Sequence, residues 1–285
     1  MKKVLVTGAS GFIGSHVVAK LLESGVKVIA SSKSKQKAET CNWFTQVSYV
    51  ELDLAKFDDR HNYFEYFTGP DAVIHLAWEG LPNYKSLFHI EENLPRHYNF
   101  LKNLAVNGCK DFTVAGTCFE YGMQEGELRE ELCVVPENPY GVAKYCLNLF
   151  LNELAKKEKF ILKWPRLFYL YGRGQNPNAL VPQLEAAIKE NEPVFNMSGG
   201  EQVRDYLPVE NAAAYLVKVA LQNKHAGVIN CCSGQPIKIK DFVREYLTRL
   251  GKSIQLNLGY YSYPDYEPMA FWGNNDKLKT ILNEQ

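Results

Sequence analysis

The chain has 285 residues, enough for one large core or for a core with a smaller appended lobe. Its 32 Lys and Arg residues balance 32 Asp and Glu residues, which argues against nucleic acid or an anionic membrane as a partner. The seven cysteines are scattered without a Cys-x-x-Cys pair, and no apolar run approaches the ~18 residues of a membrane span. We expect a cytoplasmic protein with reduced thiols and no metal site.

Short apolar segments alternate with amphipathic ones along most of the chain. The apolar segments are "KVLVTG", "VKVIAS", "VSYVELD", "DAVIHLA", "DFTVAGT" and "KFILKWPRL", and the first helix is expected over 12–24. This alternation predicts an α/β fold, a doubly wound parallel sheet with crossover helices on both faces.

The amino-acid composition changes after Gly172, where Gly, Pro and Asn become frequent. Between these loops, "VENAAAYLVKVALQN" still predicts a helix and "GVINCCS" a strand. We therefore expect the sheet domain to comprise residues 1–169 and 209–233. A smaller, interleaved C-terminal lobe for the substrate is expected over 170–208 and 234–285.

The turn after the first strand, "TGASGFIGSH", contains three glycines. Gly8 allows a tight turn, Gly11 lets the backbone approach a phosphate closely, and Gly14 lets the helix pack on the sheet. A pyrophosphate fits such a turn because the N-terminus of a helix offers free N–H groups and a positive dipole end. Spaced glycines alone would also fit an ordinary tight turn, but the strand, turn and helix in this order favour a dinucleotide.

This opening resembles the extended short-chain dehydrogenase/reductases, a family of nucleotide-sugar epimerases, dehydratases and reductases. Further matches follow in the family's order: "ELDL", "VIHLA", "ENLPRHYNFLKNL", "PYGVAK", "PRLFYLYGRGQ" and "GGEQVRDYLPVENAA". The resemblance implies a Rossmann-type fold that binds NAD(P), with Asp53 on the adenine amine. The cofactor contacts that it implies are Gly8, Ser10, Gly11, Phe12, Ile13, Gly14, Asp53, Leu54, Leu76, Ala77, Asn93, Tyr140 and Lys144.

The segment "PYGVAK" places Tyr140 and Lys144 four residues apart, on one face of a helix. A neighbouring ammonium and an oxidised nicotinamide both favour the phenolate form of a tyrosine, which lets it exchange a proton with a sugar oxygen. Such a spacing also occurs by chance on surfaces. The resemblance implies that Thr117, four residues before the Tyr121-Gly122 pair, completes a catalytic triad by binding the substrate oxygen.

The two residues after Thr117 bear on the type of reaction. Relatives that eliminate water carry Asp and Glu there, whereas this chain has Cys118 and Phe119, so a 4,6-dehydratase is not expected. Relatives that epimerise at C3 and C5 carry cysteine at the position of Phe119. We expect Cys118 to be a packed thiol, and both residues to border the substrate.

The end of the second strand indicates which cofactor binds. NAD enzymes place an acidic residue there for the ribose 2′-hydroxyl, but this chain has Ser32. Ser32, Lys33 and Lys35 can donate hydrogen bonds and positive charge to a 2′-phosphate, so NADPH is predicted and NAD remains an alternative. A solvated basic loop would have the same composition.

These observations predict an NADPH-dependent reductase of a nucleotide-linked 4-keto-6-deoxy-hexose. Hydride would pass to C4, Tyr140 would donate the proton, Lys144 would tune Tyr140, and Thr117 would orient the carbonyl. One alternative is an NAD-dependent nucleotide-sugar 4-epimerase that uses the same triad. The other is a non-catalytic dinucleotide-binding sensor.

The predicted substrate contacts rest on the resemblance. Arg204 matches an arginine that binds the diphosphate, although an ion pair with Asp205 or a nearby Glu would fit as well. Trp78 and Glu79 follow "HLA" in a loop that lines the sugar pocket in relatives or is merely exposed. Further contacts are expected from Tyr169, where many relatives have Asn, and from Asn178 and Leu180. The segments 93–104 and 140–154 resemble helices through which relatives form homodimers.

Overall fold

The computed structural model describes residues 2–284, in which strands and helices alternate as the sequence predicts. The strands are β1 (Lys3–Thr7), β2 (Lys27–Ser32), β3 (Ser48–Glu51), β4 (Ala72–His75), β5 (Asp111–Val114), β6 (Gly116–Thr117), β7 (Gly126–Leu128), β8 (Ile161–Leu167), β9 (Tyr169–Tyr171), β10 (Val194–Asn196), β11 (Val203–Pro208), β12 (Gly227–Cys231), β13 (Pro236–Lys238), β14 (Gln255–Asn257) and β15 (Phe271–Gly273). The helices are α1 (Phe12–Glu23), α2 (Lys35–Glu39), α3 (Tyr63–Tyr66), α4 (Leu94–Val106), α5 (Pro139–Glu158), α6 (Leu180–Lys189), α7 (Val209–Leu221), α8 (Ile239–Leu250) and α9 (Asp276–Asn283).

Eight strands of the described chain form one parallel sheet in the order β3-β2-β1-β4-β5-β8-β12, with β6 also paired to β8. The order reverses direction between β1 and β4. In doubly wound sheets, ligands bind outside the carboxyl ends of the strands at such a switch point. The predicted Rossmann-type α/β fold is confirmed, and the switch point lies beside the glycine turn.

Both faces of this sheet are covered by helices, as crossover connections require. On one face, α4 and α5 bury side chains such as Phe100 and Leu147 against β4 and β5. On the other face, α1 and α7 bury side chains such as Val17 and Leu216 against β1 and β2. The central strands β1, β2 and β4 are therefore buried along almost their whole length.

Smaller sheets formed mainly by the second half of the chain lie beside the main one. In them β11 pairs with both β9 and β13, β10 pairs with β14, and β7 pairs with β15. Between them the chain returns to the main sheet through α7 and β12. This order gives the interleaving that we predict, and the domain boundaries after residues 169, 208 and 233 remain a prediction.

The carboxylate of Asp205 in β11 ties three distant segments together. It accepts hydrogen bonds from the backbone N–H and the hydroxyl of Ser233, both at 2.7 Å, and from the N–H groups of Gly234 at 2.9 Å and Gly273 at 3.3 Å. These bonds join the end of β12 and strand β15 to β11.

Across residues 2–284, no helix has both the length and the apolar character that a membrane crossing requires.

Candidate active site

The glycine turn has the geometry of a phosphate-binding loop. Gly8 has a φ of +68°, and a Cβ there would lie 2.8 Å from the backbone nitrogen of Ala77 at the end of β4. A Cβ on Gly14 would lie 2.1 Å from the carbonyl oxygen of Gly8, so only glycine lets α1 begin this close to the turn. Gly11 is the N-cap residue of α1, and no side chain within the described part of the chain accepts a hydrogen bond from the first turn of the helix. The first N–H groups of the helix therefore remain available to an anion.

A cavity of about 330 Å³ opens over this turn, at the switch point of the sheet. Its lining holds most of the predicted cofactor contacts, and it includes the acidic side chain of Asp53. This concave site with glycine backbone and a free helix N-terminus fits the adenosine and diphosphate parts of a dinucleotide. The predicted residues in the lining are Gly8, Ser10, Gly11, Ser32, Lys33, Asp53, Leu54, Leu76, Ala77 and Asn93.

Six predicted cofactor residues lie outside that lining: Tyr140 and Lys144, described below, and Phe12, Ile13, Gly14 and Lys35. Phe12 and Ile13 belong to the first turn of α1. Ile13 packs against the apolar core on the face of the sheet that α1 and α7 cover. Gly14 acts through its close contact with Gly8. The backbone N–H of Lys35 donates to Glu51 at 2.9 Å, and the lining holds Lys37 in its place. Helix α2 begins at Lys35, and sequence spacing alone did not reveal which lysine this short helix turns toward the cavity.

The side chains at the end of β2 are polar and positively charged. Ser32 is buried and accepts a hydrogen bond from the Ser10 hydroxyl at 2.9 Å. The Lys33 ammonium forms an ion pair with Glu79, and this hydrogen bond raises the pKa of Lys33. Glu79, which we expected beside the substrate, thus lines the dinucleotide cavity.

Two elements, β6 and α5, carry the predicted triad. Thr117 ends β6, while Tyr140 and Lys144 lie one turn apart in α5, which begins at Pro139 behind an Asn138 cap. All three side chains are buried, with Lys144 only 3% exposed. The Lys144 ammonium donates to the carbonyl oxygen of Ala115 at 2.9 Å.

Burial controls the protonation of this group. It raises the pKa of Tyr140 far above that of an ordinary tyrosine, and a hydrogen bond with Thr117 offsets only part of this shift. Burial also lowers the pKa of Lys144 to about 7, although the Glu120 charge opposes it. The sequence argument expected the ammonium to favour the phenolate and did not include this desolvation. The phenol is protonated in the folded protein.

Glu120 is a functional residue that the sequence analysis missed. Its fully buried carboxylate accepts from the Thr117 backbone N–H at 2.9 Å, from the Trp164 indole N–H at 2.9 Å, and from Arg166 Nε at 2.8 Å. It also completes a capping box with Thr117. A buried carboxylate with these partners fixes the backbone that carries the Thr117 hydroxyl.

A buried imidazole pair under the cavity was also missed. His75 Nδ1 lies 2.8 Å from the Thr7 hydroxyl, and His75 Nε2 lies 2.8 Å from His97 Nδ1. Burial lowers the pKa of both histidines, so both rings are neutral at physiological pH. His97 lines the cavity together with Asn93, whose amide donates to the Glu79 carbonyl at 2.9 Å. The pattern "NLPRH" offered no signal for this contact.

Aromatic rings enclose the phenol of Tyr140. The ring of Tyr84 lies 5.6 Å and that of Phe119 lies 6.0 Å from it, between centroids, and Tyr266 packs on Tyr84 at 5.8 Å. Cys118 turns away into an apolar cluster, where burial raises the pKa of its thiol. Phe119 therefore borders the reacting centre, while Cys118 packs as an inert thiol.

Arg204 is fully buried rather than open to a ligand. Its Nη2 pairs with Glu267 at 2.8 Å, its Nη1 donates to the Val203 carbonyl at 2.8 Å, and its guanidinium lies 4.5 Å from the centroid of Phe271. This is the ion pair with a nearby Glu that the sequence left as an alternative. Within residues 2–284, Arg204 Nε and the Tyr169 hydroxyl have no hydrogen-bond partner.

The two remaining predicted contacts lie farther along the chain. Asn178 is exposed and its backbone N–H donates to the Asn176 side chain at 2.9 Å. Leu180 begins α6 and packs against the cluster formed by α6 and α8. The structure does not bring either residue to Tyr140.

Comparison with known proteins agrees with this geometry. The model of the NAD dependent epimerase/dehydratase family matches residues 4–232. The chain belongs to this family.

Members of the epimerase/dehydratase family are among its most similar relatives. The dTDP-6-deoxy-L-talose 4-dehydrogenase (NAD(+)) of Aggregatibacter actinomycetemcomitans is 27% identical over 95% of this chain and 98% of its own length. The dTDP-4-dehydro-6-deoxyglucose reductase of Escherichia coli is 26% identical over 87% of this chain and 82% of its own. The UDP-glucuronic acid 4-epimerase of Bacillus cereus, solved with UDP-glucuronic acid and NAD, superposes with a TM-score of 0.83 at 26% identity, covering 99% and 93% of the two chains. The prediction of an NAD(P)-dependent enzyme of nucleotide-sugar chemistry is confirmed.

Proposed function

We propose that the protein reduces the C4 carbonyl of a nucleotide-linked 4-keto-6-deoxy-hexose with NADPH. The observation that carries this proposal is a protonated, buried phenol beside a hydroxyl: Tyr140 next to Thr117. Bound in the cavity at the switch point, NADPH would supply the hydride that converts the ketone to an alcohol, leaving NADP⁺.

The chain's own groups then handle the oxygen and the proton. The Thr117 hydroxyl donates a hydrogen bond to the carbonyl oxygen, and the backbone around it is fixed by Glu120. Tyr140 gives its phenolic proton to the same oxygen as negative charge develops there. A reductase needs a tyrosine that begins protonated, and the burial of Tyr140, which raises its pKa, favours this state further.

The preference for NADPH is supported by the end of β2. The end of β2 itself carries no acidic residue, and Ser32, Lys33, Ser34 and Lys37 line the cavity there. The nearby Glu79 carboxylate, which also lines the cavity, is paired with the Lys33 ammonium. Hydroxyl and ammonium donors suit a 2′-phosphate, and a carboxylate at this point would repel it.

The substrate class is supported by the aromatic surroundings of Tyr140. Tyr84 and Phe119 present apolar ring surface beside Tyr140. Burying a C6 methyl group against this surface costs less desolvation free energy than burying a hydroxyl or a carboxylate. Two of the relatives described above act, by name, on dTDP-linked 6-deoxy sugars.

The test is a reduction assay with purified protein. NADPH absorbance should fall when dTDP-, CDP-, GDP- or UDP-linked 4-keto-6-deoxyhexoses are added, and NMR of the product should show a new C4 alcohol. The Tyr140→Phe variant should remain inactive under the same conditions. If none of these substrates oxidises NADPH, the proposed reduction is wrong.

A 4-epimerase is the second candidate, because the Bacillus cereus structure with 26% identity is a 4-epimerase. An epimerase returns the hydride to the same sugar, so it consumes no reduced cofactor and retains NAD. Co-purification of NAD, together with interconversion of UDP-sugars at C4 without NADPH, would favour this candidate over the reductase.

We also propose a homodimer through α4 and α5. Leu149 and Phe150 on α5 are 44% and 45% exposed, and Phe150 packs on Tyr98 of α4. Apolar side chains exposed together on neighbouring helices are typical of an interface. Sedimentation velocity at micromolar concentration should show a dimer, and Phe150→Glu should yield a monomer. A monomeric wild-type protein would contradict this proposal.

A further inference from the structure

Trp78 lies where the dinucleotide cavity ends. The cavity lining includes Trp78 and His97, but across residues 2–284 it includes neither Tyr140 nor Lys144. The Lys144 ammonium lies 3.9 Å from the centroid of the Trp78 ring, and the Tyr140 ring lies 6.1 Å from it. The indole therefore stands between the cavity and both catalytic side chains.

Two imidazoles hold the indole in this place. Its N–H donates to His89 Nδ1 at 3.1 Å, and its ring stacks on His97 at 4.6 Å with an interplanar angle of 22°. His89 Nε2 donates in turn to the Asn83 carbonyl at 2.9 Å, which leaves Nδ1 as the acceptor for Trp78. Trp78 follows β4 in an irregular segment. Side-chain contacts, rather than a strand ladder, determine its position.

The contact with Lys144 is attractive. An ammonium over an indole face is drawn to the negative face of the ring, and the attraction is stronger where water is excluded. Lys144 is 3% exposed, and its hydrogen-bond acceptor in the structure is the Ala115 carbonyl. The indole face, the Ala115 carbonyl and the charge of Glu120 together favour the protonated form of this buried side chain.

We propose that Trp78 is a gate that positions Lys144 and separates the dinucleotide cavity from the reacting centre. It leaves the ammonium only when a complete pyridine dinucleotide enters, because the nicotinamide end must pass Trp78 to reach Tyr140. A ligand that fills only the adenosine half leaves the gate closed. The inference rests on the proposed function, since it takes the ligand to be NADP(H).

Intrinsic fluorescence tests the movement of the gate. The chain has four tryptophans, so the difference between wild type and Trp78→Phe isolates the emission of Trp78. Trp272→Phe is the matched control, because this partly buried indole in β15 lies outside the cavity lining. Each protein is titrated with NADP⁺ and with adenosine 2′,5′-bisphosphate, which lacks the nicotinamide half. Thermal shift measurements report the binding of each ligand independently.

NADP⁺ should change the emission and the acrylamide quenching of the wild type and of Trp272→Phe, and Trp78→Phe should lose most of this change. Adenosine 2′,5′-bisphosphate should bind without changing them. In stopped flow, Trp78→Ala should accelerate NADPH association by roughly tenfold, and Trp78→Phe by less. Neither variant should alter the association rate of adenosine 2′,5′-bisphosphate.

The proposal that Trp78 is a gate is wrong if NADP⁺ binds while Trp78→Phe keeps the full emission change. It is equally overturned if both ligands change the Trp78 emission alike, or if Trp78→Ala leaves NADPH association unaltered. In each of these cases the proposed reduction still stands. Failure of the folded wild type to bind any dinucleotide would overturn the proposed function and this inference together.

Discussion

The dinucleotide cavity and the reacting centre around Tyr140 differ in the groups that form them. We call them the dinucleotide half and the reacting half of the site. The dinucleotide half consists largely of backbone: a glycine turn, strand ends and the N-terminus of α1. The reacting half consists of side chains that bury one another, among them Tyr140, Lys144 and Glu120. In the glycine turn of the first half, a substitution acts through the space that a Cβ would fill. In the second, it acts through the charges and protons that burial holds in place.

The largest effect is expected in the reacting half, from Tyr140→Phe. The ring and its packing remain, but the proton donor is lost, so kcat should fall by about 10²–10⁴-fold. NADPH affinity, measured by fluorescence titration, should stay within about twofold because the dinucleotide half is untouched. Tyr145→Phe, on the same helix, serves as the control and should retain full activity. Equal loss of binding and rate would contradict the separation of the two halves.

Glu120→Gln should produce the largest loss of stability. The variant leaves the buried Arg166 guanidinium without a counter-charge, and breaking such a pair typically costs about 3–5 kcal/mol. Urea unfolding measures this loss. Glu127→Gln, which breaks an exposed pair with Arg129, should cost less than about 1 kcal/mol. Similar costs for the two variants would show that Glu120 is not held as described.

Gly14→Ala probes the backbone half. A Cβ placed 2.1 Å from the Gly8 oxygen forces α1 away from the turn, so we expect a cost of about 1–3 kcal/mol and a loss of NADPH binding of more than about tenfold. Gly25→Ala is the control, because its Cβ meets no atom within 4 Å, although its positive φ costs about 1–2 kcal/mol. Calorimetric titration should show unchanged binding in this control.

Lys37→Ala tests whether the site distinguishes NADPH from NADH. Loss of one charge-assisted hydrogen bond of about 1.5 kcal/mol should weaken NADPH binding roughly tenfold and leave NADH binding unchanged. Lys35→Ala should change neither, because Lys35 lies outside the cavity lining. The proposed 2′-phosphate site would be wrong if Lys35→Ala were the variant that weakened NADPH.

A separate effect is a pH dependence of stability, which needs no substitution in the dinucleotide half. Burial lowers the pKa of Lys144 to about 7, below the ~10.4 of an unfolded lysine. Between these values the unfolded chain binds more protons, so this residue makes the unfolding free energy rise with pH, by at most about 1.4 kcal/mol per unit. The difference between wild type and Lys144→Met in urea unfolding should follow this rise from pH 7 to pH 9. A flat difference would place Lys144 in a more hydrated environment.

The sequence predicted the backbone half well because its determinants are local. Gly8, Gly11 and Asp53 each follow a strand, and a strand end fixes where the next residues go. The spacing placed Tyr140 and Lys144 on one face of a helix, and the resemblance to the family supplied their predicted roles and Thr117. The surroundings of this triad were not predictable, since burial depends on residues far apart in the chain: Tyr84, Phe119 and Tyr266 meet only in the folded protein.

The surroundings of two predicted substrate residues depend on distant contacts in the same way. The sequence left Trp78 either in the sugar pocket or in an exposed loop, and its position in the structure depends on two histidines from the following helical segments. Arg204 looked like a ligand for a diphosphate because its partner, Glu267, lies 63 residues away. Contacts between residues so far apart along the chain produce no periodic pattern in a single sequence.

The bonds of Asp205 to Ser233, Gly234 and Gly273 have a consequence for the order in which the protein matures on the ribosome. Every residue that lines the dinucleotide cavity precedes residue 98, whereas the strand that Asp205 ties to β11 follows residue 270. A nascent chain that has emerged through β12 already contains the whole cavity lining but lacks that last strand. The docking of β15 onto β11 must therefore follow the synthesis of the complete cavity lining.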